Sequence, residues 1–294
     1  MTVLDRPAEP ESPRFTEAMR MLAGLLEQRT GQILSEARIW RIETALKPLL
    51  RSEGLDSLED LVGRIAGEGS HDLIDQVVNA LLNNESSFFR DLQIFNVVGG
   101  ELLPRLRETA ANRQLRIWCA GCSTGQEAYS LAILLRREWA LWKDWRIQIL
   151  ATDISGHVIQ RARSGLFSQI DVQRGLAIGD LMKWFDPVGD EWRIADELRT
   201  MIDFRVDNVF DARMPTGAYD LILCRNVLLY FSPDMRRKAF DLLSRHSREG
   251  SVLLLGAGET AMGLTDNFVA SSTFRGCYER RENETSPLRK RVSA

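Results

Sequence analysis

The chain has 294 residues, of which 44% are hydrophobic and 27% charged, with a formal net charge of −3. That balance belongs to a globular protein and excludes a disordered polar chain. No apolar run approaches the ~20 residues of a membrane-spanning helix. The start, Met1-Thr-Val-Leu-Asp-Arg-Pro7, has neither the basic segment nor the apolar core of a signal peptide, so a cytoplasmic protein is expected. The charge is divided unevenly. Residues 1–95 hold 10 basic and 16 acidic residues, and residues 96–294 hold 28 and 25. Two differently charged units are expected, and the net charge argues against a general nucleic-acid binder.

Residues 1–14 carry three prolines and read as a flexible leader. From about 15 to 95 the pattern is helical. Phe15, Met19, Leu22, Leu25 and Leu26 recur at helical spacing. Leu34 to Leu50 reads as a second helix ending near Pro48. Ser57-Leu-Glu-Asp60 has the form of a capping box, and His71 to Leu82 reads as a further amphipathic helix. Together these predict an all-α N-terminal domain with a connector over 15–95.

The pattern changes near residue 114. Leu115 to Gly121, Arg146 to Asp153, Tyr219 to Cys224 and Gly250 to Gly256 are apolar runs that read as buried strands. Thr124 to Arg137, Ser155 to Ser164 and Asp234 to His246 read as the helices between them. Alternation of this kind predicts an α/β domain over 96–280, its parallel sheet covered on both faces. Glu191 to Ala195 and Met201 to Val206, after the turn Asp186-Pro-Val-Gly-Asp190, predict a small antiparallel β insertion at about 186–203. Residues 281–294, with Arg289-Lys-Arg291, read as a flexible tail.

Four cysteines stand at 119, 122, 224 and 277. Cys119-Ala-Gly-Cys122 has the spacing of a zinc or redox pair, but no second ligand pair follows and the three histidines do not cluster. The cysteines are therefore expected to be small apolar residues on buried strands, and no metal site is expected.

In an open α/β sheet, ligands bind beyond the carboxyl ends of the strands, where strand order reverses. Three strand ends qualify. Ala120-Gly-Cys-Ser-Thr-Gly-Gln-Glu127 is a glycine turn that opens a helix, without the spacing of a dinucleotide fingerprint or the lysine of a phosphate loop. Asp153 ends the second strand, where a carboxylate can accept hydrogen bonds from both hydroxyls of a ribose, or cap the following helix. Arg225-Asn226 and Tyr230 follow a later strand. The asparagine amide can read an adenine edge or anchor a loop. A fourth segment, Leu82-Asn-Asn-Glu-Ser-Ser-Phe-Phe-Arg-Asp91, suits a cleft edge near a domain boundary.

These segments carry a family resemblance. Asn83 to Asp91, Trp118 to Leu131, Ala151-Thr-Asp-Ile-Ser155 and Cys224-Arg-Asn-Val-Leu-Leu-Tyr-Phe231 resemble, in order, four motifs of the CheR-type chemotaxis methyltransferases. These enzymes move a methyl group from S-adenosylmethionine to glutamate side chains of chemoreceptors. The resemblance covers about residues 15–280. It implies a Rossmann-like methyltransferase sheet with a β insertion, an N-terminal receptor-recognition domain, S-adenosylmethionine as cofactor and S-adenosylhomocysteine as product. Carried over residue by residue, it implies that Asn84, Ser86, Arg90, Glu127, Asp153, Asn208, Val209, Arg225 and Asn226 contact the cofactor. Arg90 and Tyr230 are implied beside the transferred methyl.

The departures are specific. Ser86 stands for threonine, Gln126 for glutamate, Ala128 for proline, and Gly256-Ala-Gly-Glu259 for a Gly-His-Ser-Glu pattern. Arg38, Arg41, Lys47 and Arg51 occupy the segment that resembles a basic receptor-facing helix, but helical spacing divides them between two faces. Relatives that capture a C-terminal receptor pentapeptide resemble one another in a longer, glycine-rich loop in the insertion. Here Phe185 to Trp192 is compact and contains Pro187 and three acids, so no such tether is expected. The alternative to an active methyltransferase is a cofactor-binding regulatory module. A nicotinamide oxidoreductase lacks its glycine spacing here.

Overall fold

Helical periodicity shapes the chain as far as Leu81 in the computed structural model, which describes residues 16–110, 112–210 and 218–281. The expected leader and, but for Arg281, the expected tail lie outside the described residues. Helices Glu17–Thr30, Glu36–Ile39, Arg41–Glu53, Leu58–Glu68 and His71–Leu81 bury Leu22, Leu26, Ile42, Leu46, Leu61 and Val77 in one core. Thr16, Ser57 and Ser70 each accept the N–H of the residue three further on, as N-caps do. The helix expected over Leu34 to Leu50 is instead a short turn followed by Arg41–Glu53, with Pro48 inside it. Its stop is Gly54, in the left-handed conformation; the N–H groups of Gly54 and Leu55 donate to carbonyls of the last turn.

The described residues divide into two compact units between Asn83 and Asn84. The segment expected to be a connector thus goes with the sheet. Phe88 is buried edge-on to Phe167 and Phe185, at ring separations of 4.9 and 5.5 Å. The Phe89 N–H donates to Ser130 Oγ at 2.9 Å. Residues 92–109 continue as helix with a π-helical turn at Val98–Leu102, burying Phe95, Val98, Leu102 and Leu106.

The strands are β1 (Gln114–Ala120), β2 (Arg146–Asp153), β3 (Leu166–Ser168), β4 (Phe185–Val188), β5 (Glu191–Ile194), β6 (Ile202–Val206), β7 (Tyr219–Cys224), β8 (Ser247–Leu255), β9 (Phe268–Ala270) and β10 (Cys277–Arg280). Seven form one sheet in the order β6-β2-β1-β7-β8-β10-β9, and three form a second in the order β3-β5-β4. Pairing is parallel from β6 to β8 and antiparallel at β10 and β9. The chain steps from β1 to β2 and β6 on one side, then crosses to β7 on the other, so the switch point lies at the carboxyl ends of β1 and β7.

Two expectations change. The insertion is built from β3, β4 and β5, whereas Met201 to Val206, expected in the hairpin, forms β6 beside β2. Ile202 and Phe204 alternate with exposed Asp203 and Arg205, burying one face against the helix side of the sheet. Coverage of the sheet is also uneven. One face packs on helix Gln126–Arg137 and its neighbours. On the other, helix Pro233–His246 lays Ala239, Phe240 and Leu243 over Trp118, Ile222 and Leu253, while Gln148, Asp203 and Arg205 on β2 and β6 are exposed.

Gly175, between helices Gln169–Gln173 and Ile178–Trp184, has φ +93°, and a Cβ there would lie 1.8 Å from the Phe88 carbonyl oxygen. Both backbone strain and a clash with immovable backbone follow. Gly175→Ala should lose about 2–4 kcal/mol and lower Tm by about 5–15 °C in thermal unfolding. Gly179→Ala, with open space around it, should leave Tm unchanged or raise it slightly, since alanine favours the helix.

Candidate cofactor site at the strand ends

The turn after β1 is fixed from β2. The N–H groups of Gly121 and Cys122 donate to the Thr152 carbonyl at 2.8 and 2.9 Å. A Cβ on Gly121 would meet Val227 Cγ2 at 2.4 Å. This glycine therefore lets the loop after β7 approach the turn; its space is filled by protein. Ser123 has φ 51°. Its N–H donates to Asp153 Oδ2 at 2.8 Å, and its hydroxyl donates to the Asn84 carbonyl at 2.6 Å. Asp153 Oδ1 accepts the Ser155 N–H at 3.0 Å, while Ser155 itself caps helix Gly156–Ser164. Burial holds the Asp153 carboxyl above its ordinary pKa of 3.8, against the lowering effect of these N–H groups.

Arg225, at the end of β7, has a side chain only 1% exposed. Its Nη1 donates to Glu127 Oε2 and its Nη2 to Asp91 Oδ2, both at 2.5 Å, and its guanidinium lies 5.7 Å from the Phe95 ring centroid. Burial raises the Glu127 pKa above 4.5 even though Arg225 and Arg90 both favour its charge.

The loop after β7 contains Asn226 (φ 59°) and the 3₁₀ turn Leu228–Tyr230. Glu259, beyond β8, holds it. Glu259 Oε2 accepts the N–H groups of Asn226 and Gly256 at 2.8 and 2.7 Å, and Oε1 those of Leu228 and Leu229 at 2.7 and 3.2 Å. Four of the five non-glycine residues with positive φ among the described residues, Phe89, Asp91, Ser123 and Asn226, lie on these segments.

Three hydrogen-bonded groups result: Asn84 with Asp153 through Ser123, Glu127 with Arg225 and Asp91, and Asn226 with Glu259. Arg90 donates to the Glu85 carbonyl at 3.2 Å and is near enough to Glu127 to favour its charge. Asn208 and Val209 follow β6, where the Asp207 N–H donates to the Asp153 carbonyl at 2.9 Å. The Asn208 side chain accepts the Phe210 N–H at 3.0 Å. Ser86 and Tyr230 are half-buried on their segments. Both Nη atoms of Arg225 are engaged by protein, so its part in the site runs through Glu127. Asp91 and Glu259 were not among the residues singled out from sequence. Asp91 ends the first quoted motif, and Glu259 is the retained glutamate of the last, so order in the motifs was the available signal.

A seven-stranded sheet with its glycine turn after β1, an acid at the end of β2 and carboxylates gathered near the switch point is the arrangement found in S-adenosylmethionine-dependent methyltransferases. The profile described as "CheR methyltransferase, SAM binding domain" matches residues 84–277, and the chain belongs to the CheR methyltransferase family. It is 35% identical over 250 residues to chemotaxis protein methyltransferase 1 of Vibrio cholerae, covering 83% of this chain and 89% of that one. It is 34% identical over 255 residues to the chemotaxis protein methyltransferase of Vibrio parahaemolyticus, covering 85% and 91%. It is 34% identical over 250 residues to chemotaxis protein methyltransferase Cher2 of Pseudomonas putida, covering 83% and 90%. The protein is a methyltransferase of chemotaxis and S-adenosylmethionine is its cofactor.

The residues present fit that cofactor. Asp91, Glu127, Asp153 and Glu259 outnumber Arg90 and Arg225 on the strand-end segments, and that acidic balance suits a ligand bearing a sulfonium and an ammonium. Asn226 Oδ1 is buried without a protein partner, an acceptor available to an external donor. No helix among the described residues is long and apolar enough to cross a membrane, and none of their acidic, histidine and cysteine side chains group as a metal site. All four cysteines are buried and free, three on strands and Cys122 in the glycine turn.

Because burial raises the Glu127 and Asp153 pKa values, both protonate at higher pH than free carboxyls. Protonation favours the unbound fold, so this pair's contribution to stability falls as pH rises through that window and is level above it. With these two acids as cofactor ligands, binding would need their charged forms and would have the opposite slope. Calorimetric titration with S-adenosylhomocysteine from about pH 8 to about pH 5 should show affinity weakening on the acid side before a free carboxyl would titrate. Constant affinity across that range would count against both acids as ligands.

Proposed function

We propose that this enzyme methylates glutamate side chains on the cytoplasmic domains of chemoreceptors, yielding glutamyl methyl esters. The observation that carries the reading is that the four carboxylates named at the strand ends are already held. Glu127 and Asp91 face Arg225, and Asp153 and Glu259 accept backbone N–H groups. Such a site favours a nucleophile that arrives already ionised. A glutamate side chain is ionised at neutral pH, so the reaction needs no general base.

When bound, S-adenosylmethionine supplies an electrophilic methyl on its sulfonium. Asp153 holds the ribose hydroxyls, and Asn208 and Val209 the adenine side. Asn84, Ser86 and Glu127 face the methionine end, with Arg225 fixing Glu127 and Asn226 beside it. Arg90 orients the incoming carboxylate, and the Tyr230 hydroxyl lies at the reacting end. Their task is alignment of the nucleophile and exclusion of water rather than proton transfer. The helical unit ending at Asn83 serves receptor recognition. Recognition works without a receptor pentapeptide tether: β4 is one of the two edge strands of the small sheet, and Pro187 within it lacks a donor for strand addition.

Receptor membranes incubated with methyl-labelled cofactor should release labelled methanol in mild base. Label that resists base would mean that the acceptor is not a carboxylate. Arg90→Ala and Tyr230→Phe should lower kcat more than cofactor affinity. Asp153→Ala should instead weaken S-adenosylhomocysteine binding by about 2–4 kcal/mol. Isolated C-terminal receptor peptides should show no micromolar binding in calorimetry; binding that vanished on deleting residues 186–194 would overturn the tether-free reading.

A further inference from the structure

Glu259 holds the loop after β7, but no part in the reaction follows from that alone. It follows β8 by four residues, and its carboxylate faces the loop that ends in Tyr230. Both oxygens carry two N–H donors each, from Asn226, Leu228 and Leu229 of that loop and from Gly256 of its own turn. The turn is closed by the Glu259 N–H donating to the Gly256 carbonyl at 2.9 Å. A carboxylate saturated in this way is no general base, because its lone pairs are already committed.

We infer that Glu259 is a positioning residue for the reaction: an internal anion around which the loop after β7 is wound, setting Asn226 and Tyr230. Three amides within four residues of one loop, those of Asn226, Leu228 and Leu229, converge on a single carboxylate only if the backbone turns sharply. Asn226 takes that turn in the left-handed region at φ 59°. The strand end fits tightly against it, since a Cβ on Gly256 would meet Asn226 Nδ2 at 2.7 Å. The same winding sets Leu229 beside Gly258, where a Cβ would be 3.4 Å from Leu229 Cδ2. From the outer side, Arg236 donates to the carbonyls of Leu229 and Phe231 at 3.1 and 3.0 Å. Tyr230 is thus bracketed, its preceding amides held by an anion and its flanking carbonyls by a cation. Charge-assisted bonds of this kind are short and directional, which suits a hydroxyl that must be held to a fraction of an ångström.

The inference rests on the reading of Tyr230 at the methyl end, but its test reads the loop separately from the chemistry. Glu259→Gln keeps the shape and turns one acceptor into a donor aimed at two N–H groups. Counted per S-adenosylhomocysteine-binding site, its kcat should fall on the order of 100-fold, while S-adenosylhomocysteine affinity falls less than about tenfold. A role confined to stability would reduce the number of sites and leave kcat per site unchanged, and a Glu259→Gln kcat within about threefold of wild type would overturn the inference. Glu259→Ala leaves four amides around an anion-sized space. Added formate should raise its kcat per site at least about fivefold and should not change that of wild type or Glu259→Gln. Absence of any formate effect in the alanine variant would overturn the claim that the amides require a carboxylate. If wild type released no methanol in base, the assigned acceptor would fail, yet formate-dependent S-adenosylhomocysteine affinity in Glu259→Ala would still report the anion.

Discussion

A buried guanidinium organises this methyltransferase domain. β7 runs through the core and delivers Arg225 to the end of the sheet with its side chain 1% exposed. An uncompensated charge in that position costs several kcal/mol, so the fold must bring acids to it. They come from two distant parts of the chain, Glu127 from the helix after the glycine turn and Asp91 from the segment that opens the second unit. One ion triad therefore fixes the relative placement of three segments that carry the cleft. Asp91 meets its partner from a left-handed backbone, which shows how firmly the pairing dictates local conformation.

The same triad shapes the chemistry. Glu127 is surrounded by two cations and still has a raised pKa, because burial outweighs them. The cleft is thus acidic but reluctantly so, and a cationic ligand relieves what the protein leaves uncompensated. Asp153 repeats the theme with backbone donors in place of arginines. Elements that are weak alone become consistent when their charges are considered together.

Much of the scaffold could be read from the sequence. The apolar runs of β1, β2, β7 and β8 have one interpretation in an alternating chain, and Ser57 and Ser155 mark local geometry that neighbours along the chain largely determine. The place of Asp153 at the end of the second strand was legible because topology sets it. What escaped depends on distant partners. Met201 to Val206 alternates equally well in a hairpin or at a sheet edge, and only pairing with β2 decides. The ion partners of Arg225, Glu127 and Asp91, lie 98 and 134 residues away, and no local signal names them. Pro48 reads as a helix end because its missing N–H is a local signal, whereas the burial of Leu46 and Leu49 that carries the helix past it is not.

The buried cysteines give the protein a built-in clock. Cys119 and Cys224 lie at the ends of adjoining strands with Cys122 in the turn beyond, and Cys277 lies on β10, one strand in from the antiparallel edge. Burial raises all four thiol pKa values, that of Cys277 to about 11. A thiol reagent in solution therefore meets inert groups until the sheet opens. Labelling of the first three times the opening of the cleft from within, and labelling of Cys277 times fraying at the far edge. Two regions of one domain can be followed separately, with no probe introduced and no residue changed.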